Sequence, residues 1–172
     1  MISVIGSSPG VGKSTLCRAL ADWLAGLGAS VDHFEEADVL ARPAFRPVAE
    51  EFESTLVQVM KDLTRAVEPA DVTVVYVHDD PATALRRAVE REGSGWEDWY
   101  VGKLAGSPGT SSVHDLPSAA AHLRSEADLA RRLLAGTPWQ VLTVDAGTLD
   151  AQESFDHTRH HLTESLRLPT RP

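Results

Sequence analysis

The run Gly6-Ser7-Ser8-Pro9-Gly10-Val11-Gly12-Lys13-Ser14-Thr15 follows a short apolar segment, Met1–Ile5, and leads straight into an amphipathic stretch, Leu16–Leu27. Strand, glycine-rich loop and helix in that order make the context that a phosphate-binding loop requires. Small residues let backbone N–H groups converge on a phosphate, and the N-terminus of the helix adds a favourable dipole. The expected cradle is Ser8, Pro9, Gly10, Val11, Gly12, Lys13, Ser14 and Thr15. Lys13 would reach the β- and γ-phosphates of a nucleotide as a point charge, and the Ser14 hydroxyl would ligate Mg²⁺. A bare glycine-rich turn does not explain Lys-Ser-Thr at the helix start. In the strict pattern a glycine stands five residues before Gly12; here that place is Ser7, with a glycine one step earlier at Gly6.

The 172 residues suffice for one domain with a proper core and are too few for two ordinary ones. Apolar residues make up 42% and charged residues 24%, the balance of a soluble globular chain. No stretch approaches the ~20 apolar residues that span a membrane. The N-terminus begins the loop's own strand and carries no basic leader, so no signal peptide is expected. A lone cysteine, Cys17, excludes an internal disulfide and fits a reducing cytoplasm. On the first helix it reads as a small packing residue. The net charge of −9 argues against a nucleic-acid partner. With lysine confined to Lys13, Lys61 and Lys103, arginine must supply most of the positive charge at any phosphate site.

Along the chain, Ile2–Ile5 reads as a buried strand, Lys13–Leu27 as the first helix closed by Gly28, and Val31–Glu35 as a second strand. A loop over Glu36–Pro47 precedes a mostly helical stretch, Val48–Val67. Val72–Val77 is a near-continuous apolar run, as expected of a strand covered on both faces. Pro81–Glu92 is a helix with proline in its first turn. Gly93–Asp115, rich in Gly, Ser, Pro and Trp, reads as irregular, and a mobile lid is expected over about 91–115. Pro117–Leu134 is a long helix, Val141–Val144 a last strand and Asp150–Leu166 a last helix, with a frayed tail over Leu168–Pro172. Alternating strands and helices predict one α/β domain, a three-layer α/β/α sandwich on a parallel sheet of four to five strands. Four strands are evident. A fifth is either the ambiguous segment Thr55–Met60, or lost from a reduced sheet, or on chain absent from the sequence.

Glycine loops of this kind serve several chemistries. Guanine-specific proteins carry Asn-Lys-x-Asp, which is absent. Partitioning ATPases carry an extra lysine early in the loop, where this chain has Ser8. Motor ATPases need an apolar strand ending directly in an acid, and His78 intrudes before Asp79-Asp80. The stretch Asp71–Gly93, with Asp79-Asp80-Pro81, Ala84-Leu85-Arg86-Arg87 and Arg91, resembles the thymidylate kinase and deoxynucleoside kinase group. Those kinases end a strand in an aspartate-proline turn and follow it with a helix bearing two arginines four residues apart. Arg87 and Arg91 match, and four residues is about one turn, so both share a helix face. The resemblance implies that they open a lid over the phosphates of ATP. It also implies an acid at the end of the second strand to orient or deprotonate the acceptor: Glu36 first, with Glu35 and Asp38 as alternates. Ala37 stands where the group often has proline. Arg42 and Arg46 can meet an anionic acceptor or belong to an ordinary turn-rich loop. Trp96, Trp99 and Tyr100 either stack on substrate or anchor the segment, and the loop Asp145–Thr148 would pack beside adenine.

His157 and His161 lie one turn apart without a third ligand at suitable spacing, so a solvated terminal helix is expected there. The reading that follows is a cytoplasmic kinase, monomeric or homodimeric. It would use ATP and Mg²⁺ to phosphorylate a hydroxyl of a small metabolite, nucleoside or nucleotide, with no nucleic-acid or membrane partner. The competing readings are a nucleotide-dependent regulatory ATPase and a degenerate nucleotide binder.

Overall fold

The computed structural model describes residues 1–33, 68, 71–107, 110 and 112–166. Three parallel strands, β1 (Ile2–Gly6), β2 (Thr73–His78) and β3 (Gln140–Asp145), form an open sheet in the order β1-β2-β3. Ile2 lies opposite Thr73 and Gly6 opposite Val77; Thr73 lies opposite Gln140 and His78 opposite Asp145. Five helices accompany them: α1 (Lys13–Gly26), α2 (Pro81–Glu92), α3 (Ser94–Ala105), α4 (Leu116–Ala135) and α5 (Ala151–Ser165).

Alternation along the strands sorts side chains onto two faces. Val75, Val77, Leu142 and Val144, joined by Ile2 and Val4, meet Leu16 and Leu20 of α1 and Leu162 of α5. Val74, Tyr76 and Ile5 point to the other face, against Leu134 and Ala130 of α4 and Trp139. Helices therefore cover both faces of β2, which explains its unbroken apolar run. β3 is different: Leu142 and Val144 are buried, while Val141 and Thr143 on its other face are exposed. Truncating a buried leucine such as Leu20 to alanine would cost about 2–5 kcal/mol.

The helix ends follow from local chemistry. Asp80, Asp115 and Asp150 cap α2, α4 and α5, accepting from the N–H groups of Thr83, Ser118 and Glu153. The last two are reciprocal capping boxes. After α1, Gly28 takes a left-handed conformation at φ 85°.

Two sequence expectations are corrected. Residues 94–105 of the segment expected to be irregular form α3. Trp96 and Tyr100, one turn apart, stack with ring centroids 4.7 Å apart, and pack with Leu104 against Leu85 of α2 and Ala120 and Leu123 of α4. Burial of those rings outweighs the helix-breaking tendency of Gly95 and Gly102. Val31, Asp32 and His33 are not in a strand, so the second strand does not begin at Val31. The rest of that strand, Glu35, Glu36, Asp38, Arg42, Arg46, the helix over Val48–Val67, Thr55–Met60 and the tail lie outside the described residues. Among the described residues, no helix is long and apolar enough to cross a membrane.

Candidate functional site

Because the strands are parallel, the segments after β1, β2 and β3 all leave the same edge of the sheet. In open sheets of this kind ligands bind at that edge. The first of these segments is the glycine loop. Gly10 and Gly12 are left-handed, at φ 83° and 89°. A Cβ on Gly10 would stand 2.4 Å from the Ala84 carbonyl oxygen, so the loop lies directly on the first turns of α2. The small residues Ala84 and Ala88, both fully buried, make that approach possible.

Gly6 is required for a different reason. A Cβ there would fall 2.5 Å from both Cγ and Cδ of Lys13, whose stem folds back over the strand end. Lys13 Nζ then donates to the Ser8 carbonyl at 2.9 Å. The space that a side chain would fill is thus at position 6. Ser7 continues the strand pairing, its N–H donating to the Val77 carbonyl at 3.1 Å. The Ser8 hydroxyl is buried without a hydrogen-bond partner among the described residues, a costly state that a ligand or water contact relieves.

α1 starts at Lys13 with Gly12 as its N-cap, no side-chain capping bond and no acid in the first turn. The positive dipole end of the helix is therefore not offset by an acidic side chain in its own first turn. Ser14 and Thr15 are exposed on that turn.

The segment after β2 is Asp79-Asp80. Asp80 caps α2 and meets Arg124 at 3.2 Å. Its carboxyl is held below the ordinary value of 3.8 by the Thr83 N–H first, and then by the Arg124 guanidinium. Asp79 turns inward instead: its Oδ2 accepts from Arg87 Nη1 at 2.8 Å. The same Nη1 reaches the Ala146 carbonyl, after β3, at 3.4 Å. Gly147 follows, its N–H donating to Asp145 Oδ1 at 2.9 Å.

A cavity of ≈ 290 Å³ lies where these segments meet. Gly10, Val11, Gly12, Thr15 and Arg87 line it, together with residues that follow β3 from Ala146 to Ser154. Its size is at the lower end of small-ligand sites. Its lining combines the glycine-loop backbone, the Thr15 hydroxyl and the Arg87 guanidinium with apolar Ala146, Leu149 and Ala151 and polar Asp150 and Ser154.

The structure therefore brings together Gly10, Val11, Gly12, Thr15 and Arg87, with Lys13 and Ser14 on the adjoining turn. It does not bring Arg91 there. Arg91 pairs with Glu92 at 2.7 Å, both side chains largely exposed, and it does not line the cavity. Glu36 and Asp38 lie outside the described residues. Asp79 was missed as a partner of Arg87. The residues that could have pointed to it, an aspartate at a strand end and an arginine eight positions on, make no periodic pattern. Of the aromatic set, Trp96 and Tyr100 pack into the α2–α4 core, and Trp99 is exposed with Lys103 Nζ 5.2 Å from its ring. Burial pushes the Tyr100 phenol up to about 12. Among the described residues, no group of three His, Cys, Asp or Glu side chains could hold a metal ion. No protein-family model matches this sequence, and neither a curated protein nor a solved structure is significantly similar to it.

Proposed function

We propose that the protein is an ATP-dependent small-molecule kinase, built as an α/β/α sandwich on four to five parallel strands and acting in the cytoplasm. The observation that carries this reading is the glycine loop. It is left-handed at Gly10 and Gly12, uncapped at the start of α1, and shares one cavity with Arg87. Phosphoryl transfer asks a protein for little covalent chemistry and much positioning of charge. The loop amides and Lys13 would hold the β- and γ-phosphates, and Arg87 would meet the charge that spreads over the transferred group. Lys13 would have to exchange the Ser8 carbonyl for a phosphate oxygen, a stronger charge-assisted partner.

The donor set fits Mg²⁺ in the manner usual for nucleotide sites: one hydroxyl, Ser14, with phosphate oxygens and water completing the shell. The metal would neutralise phosphate charge. The acceptor hydroxyl oxygen would bond to the γ-phosphorus as the bond to the bridging oxygen of ADP breaks. Its proton would pass to an acid, Glu36 or else Glu35 or Asp38.

The regulatory-ATPase alternative needs an acid at the end of β2 free to position water. Asp79 is the acid in that place, and each of its oxygens already accepts one hydrogen bond, from Arg87 and from the Asp80 N–H. That engagement favours transfer to a bound acceptor. The test is ADP release from Mg·ATP across a panel of nucleosides, nucleotides, sugars and hydroxylated natural products. Strong stimulation by one acceptor, lost in Lys13→Ala and in Glu36→Gln, is the expected result. Hydrolysis indifferent to every acceptor would refute it.

A further inference from the structure

We propose that Asp79 is a positioning residue that presets Arg87 for a phosphate-bearing ligand in the cavity beside the glycine loop; this rests on the nucleotide reading above. The Asp79 side chain is 5% exposed, whereas the Arg87 side chain that it meets is 45% exposed. Taking a carboxylate out of water is costly unless its oxygens are satisfied. Both oxygens are: Oδ2 accepts from Arg87 Nη1 at 2.8 Å, and Oδ1 accepts the Asp80 N–H at 2.6 Å. The pair Arg91–Glu92, on the same helix, has both partners in water and no such arrangement.

The geometry fixes one nitrogen of the guanidinium and leaves the others available. Nη1 is held from the end of β2 by Asp79 and from the end of β3 by the Ala146 carbonyl. Those two strand ends are themselves in register, His78 opposite Asp145. A guanidinium carries five N–H donors, two of them on Nη1. The three on Nε and Nη2 make no hydrogen bond among the described residues, and Arg87 lines the cavity. An arginine ordered beforehand loses less freedom when an anion arrives. Two donors on adjacent nitrogens also match two phosphate oxygens.

Gly147 completes the device. A Cβ at that position would lie 2.7 Å from Asp79 Oδ1 and 3.1 Å from Asp145 Oδ1. The glycine leaves the room in which the Asp79 carboxylate sits, so Gly147→Ala displaces the carboxylate without removing any charge.

The experiment is calorimetric titration of Mg·ATP into the full chain and into variants, with thermal unfolding followed in parallel. Asp79→Ala is expected to weaken binding about tenfold, and Gly147→Ala by a similar factor. Asp79→Asn should weaken binding less than Asp79→Ala, because its amide oxygen still accepts from Nη1 although its NH2 group would then face the Asp80 N–H. In an Arg87→Ala background, Asp79→Ala should change affinity less than about twofold, since its effect runs through the missing arginine. Wild-type affinity in Asp79→Ala, or the full loss persisting without Arg87, overturns the positioning role alone. Failure of the wild-type chain to bind Mg·ATP overturns this role and the nucleotide reading together. If Asp79→Ala does not fold, Gly147→Ala with and without Arg87→Ala gives the same cycle.

Discussion

The glycine loop and α2 meet at one cavity by opposite means. The loop offers shape: two left-handed glycines, backbone N–H groups and an uncapped helix start. The helix offers one side chain, Arg87, which two strand ends hold. A site made of backbone depends on the absence of side-chain atoms, whereas a site made of a guanidinium depends on the presence of a partner. Substitutions should therefore act differently on the two, through the fold in the loop and through ligand affinity in the helix.

The loop should give the largest effect. Gly10→Ala combines a left-handed φ with a Cβ 2.4 Å from the Ala84 carbonyl oxygen, and is expected to cost about 3 kcal/mol or more. Gly12→Ala carries the φ strain alone, with nothing within 4 Å of the added Cβ, and should cost about 1 kcal/mol. Denaturant unfolding of the two variants measures the gap; equal losses would mean that the loop does not bear on α2.

Next is Lys13→Ala, expected to lower acceptor-stimulated ADP release about a hundredfold or more while leaving the melting temperature close to wild type. A large loss of stability instead would place Lys13 among the structural groups that cover Gly6. The two arginines of α2 provide a smaller and sharper contrast. Arg87→Ala should weaken Mg·ATP binding about tenfold, and Arg91→Ala about twofold or less. Equal effects would show that Arg91 leaves Glu92 when the ligand binds.

The cap of α2 should act on stability alone. Asp80→Ala should cost about 1 kcal/mol near neutral pH, nearly all from the lost bond to the Thr83 N–H, because the exposed pair with Arg124 adds little. The folded-state carboxyl is held below 3.8, so its contribution is complete above that value. It is lost as pH falls through the lowered folded value. The stability gap between wild type and Asp80→Ala should therefore narrow in acid, a trend that unfolding curves at neutral and acid pH would expose.

The same contrast explains which parts were legible in the sequence. The loop, the start of α2 at Pro81 and the run Val72–Val77 rest on neighbours in the chain: glycines before Lys-Ser-Thr, an Asp-Pro turn, unbroken apolar character. Apart from α3, the described strands and helices match the expected spans to within a residue or two, whereas the strand expected from Val31 does not begin there. α3 was not legible, since Gly93, Gly95, Gly102 and Gly106 read as breaks and the packing of Trp96 and Tyr100 on α2 and α4 is tertiary. Arg87 and Arg91 look equivalent by spacing. What separates them is a buried carboxylate eight residues before Arg87 and the Ala146 carbonyl at the end of another strand. No local window contains that difference. The requirement for glycine at position 6 was likewise hidden, because it comes from the fold-back of the Lys13 stem.

The register of the sheet has a consequence for how this chain is made. Among the described residues Ile2 pairs with Thr73, and Thr73 on its other side with Gln140. Each parallel pairing closes a long loop, so the sheet has high contact order and is expected to assemble slowly. Among the described residues, β1 has no partner until Thr73–His78 has emerged, and β2 keeps an open edge until Gln140–Asp145 does. An unpaired strand edge is a template for another chain. The yield of folded protein should then depend on the speed of translation between the first strand and the third as much as on the stability of the finished core.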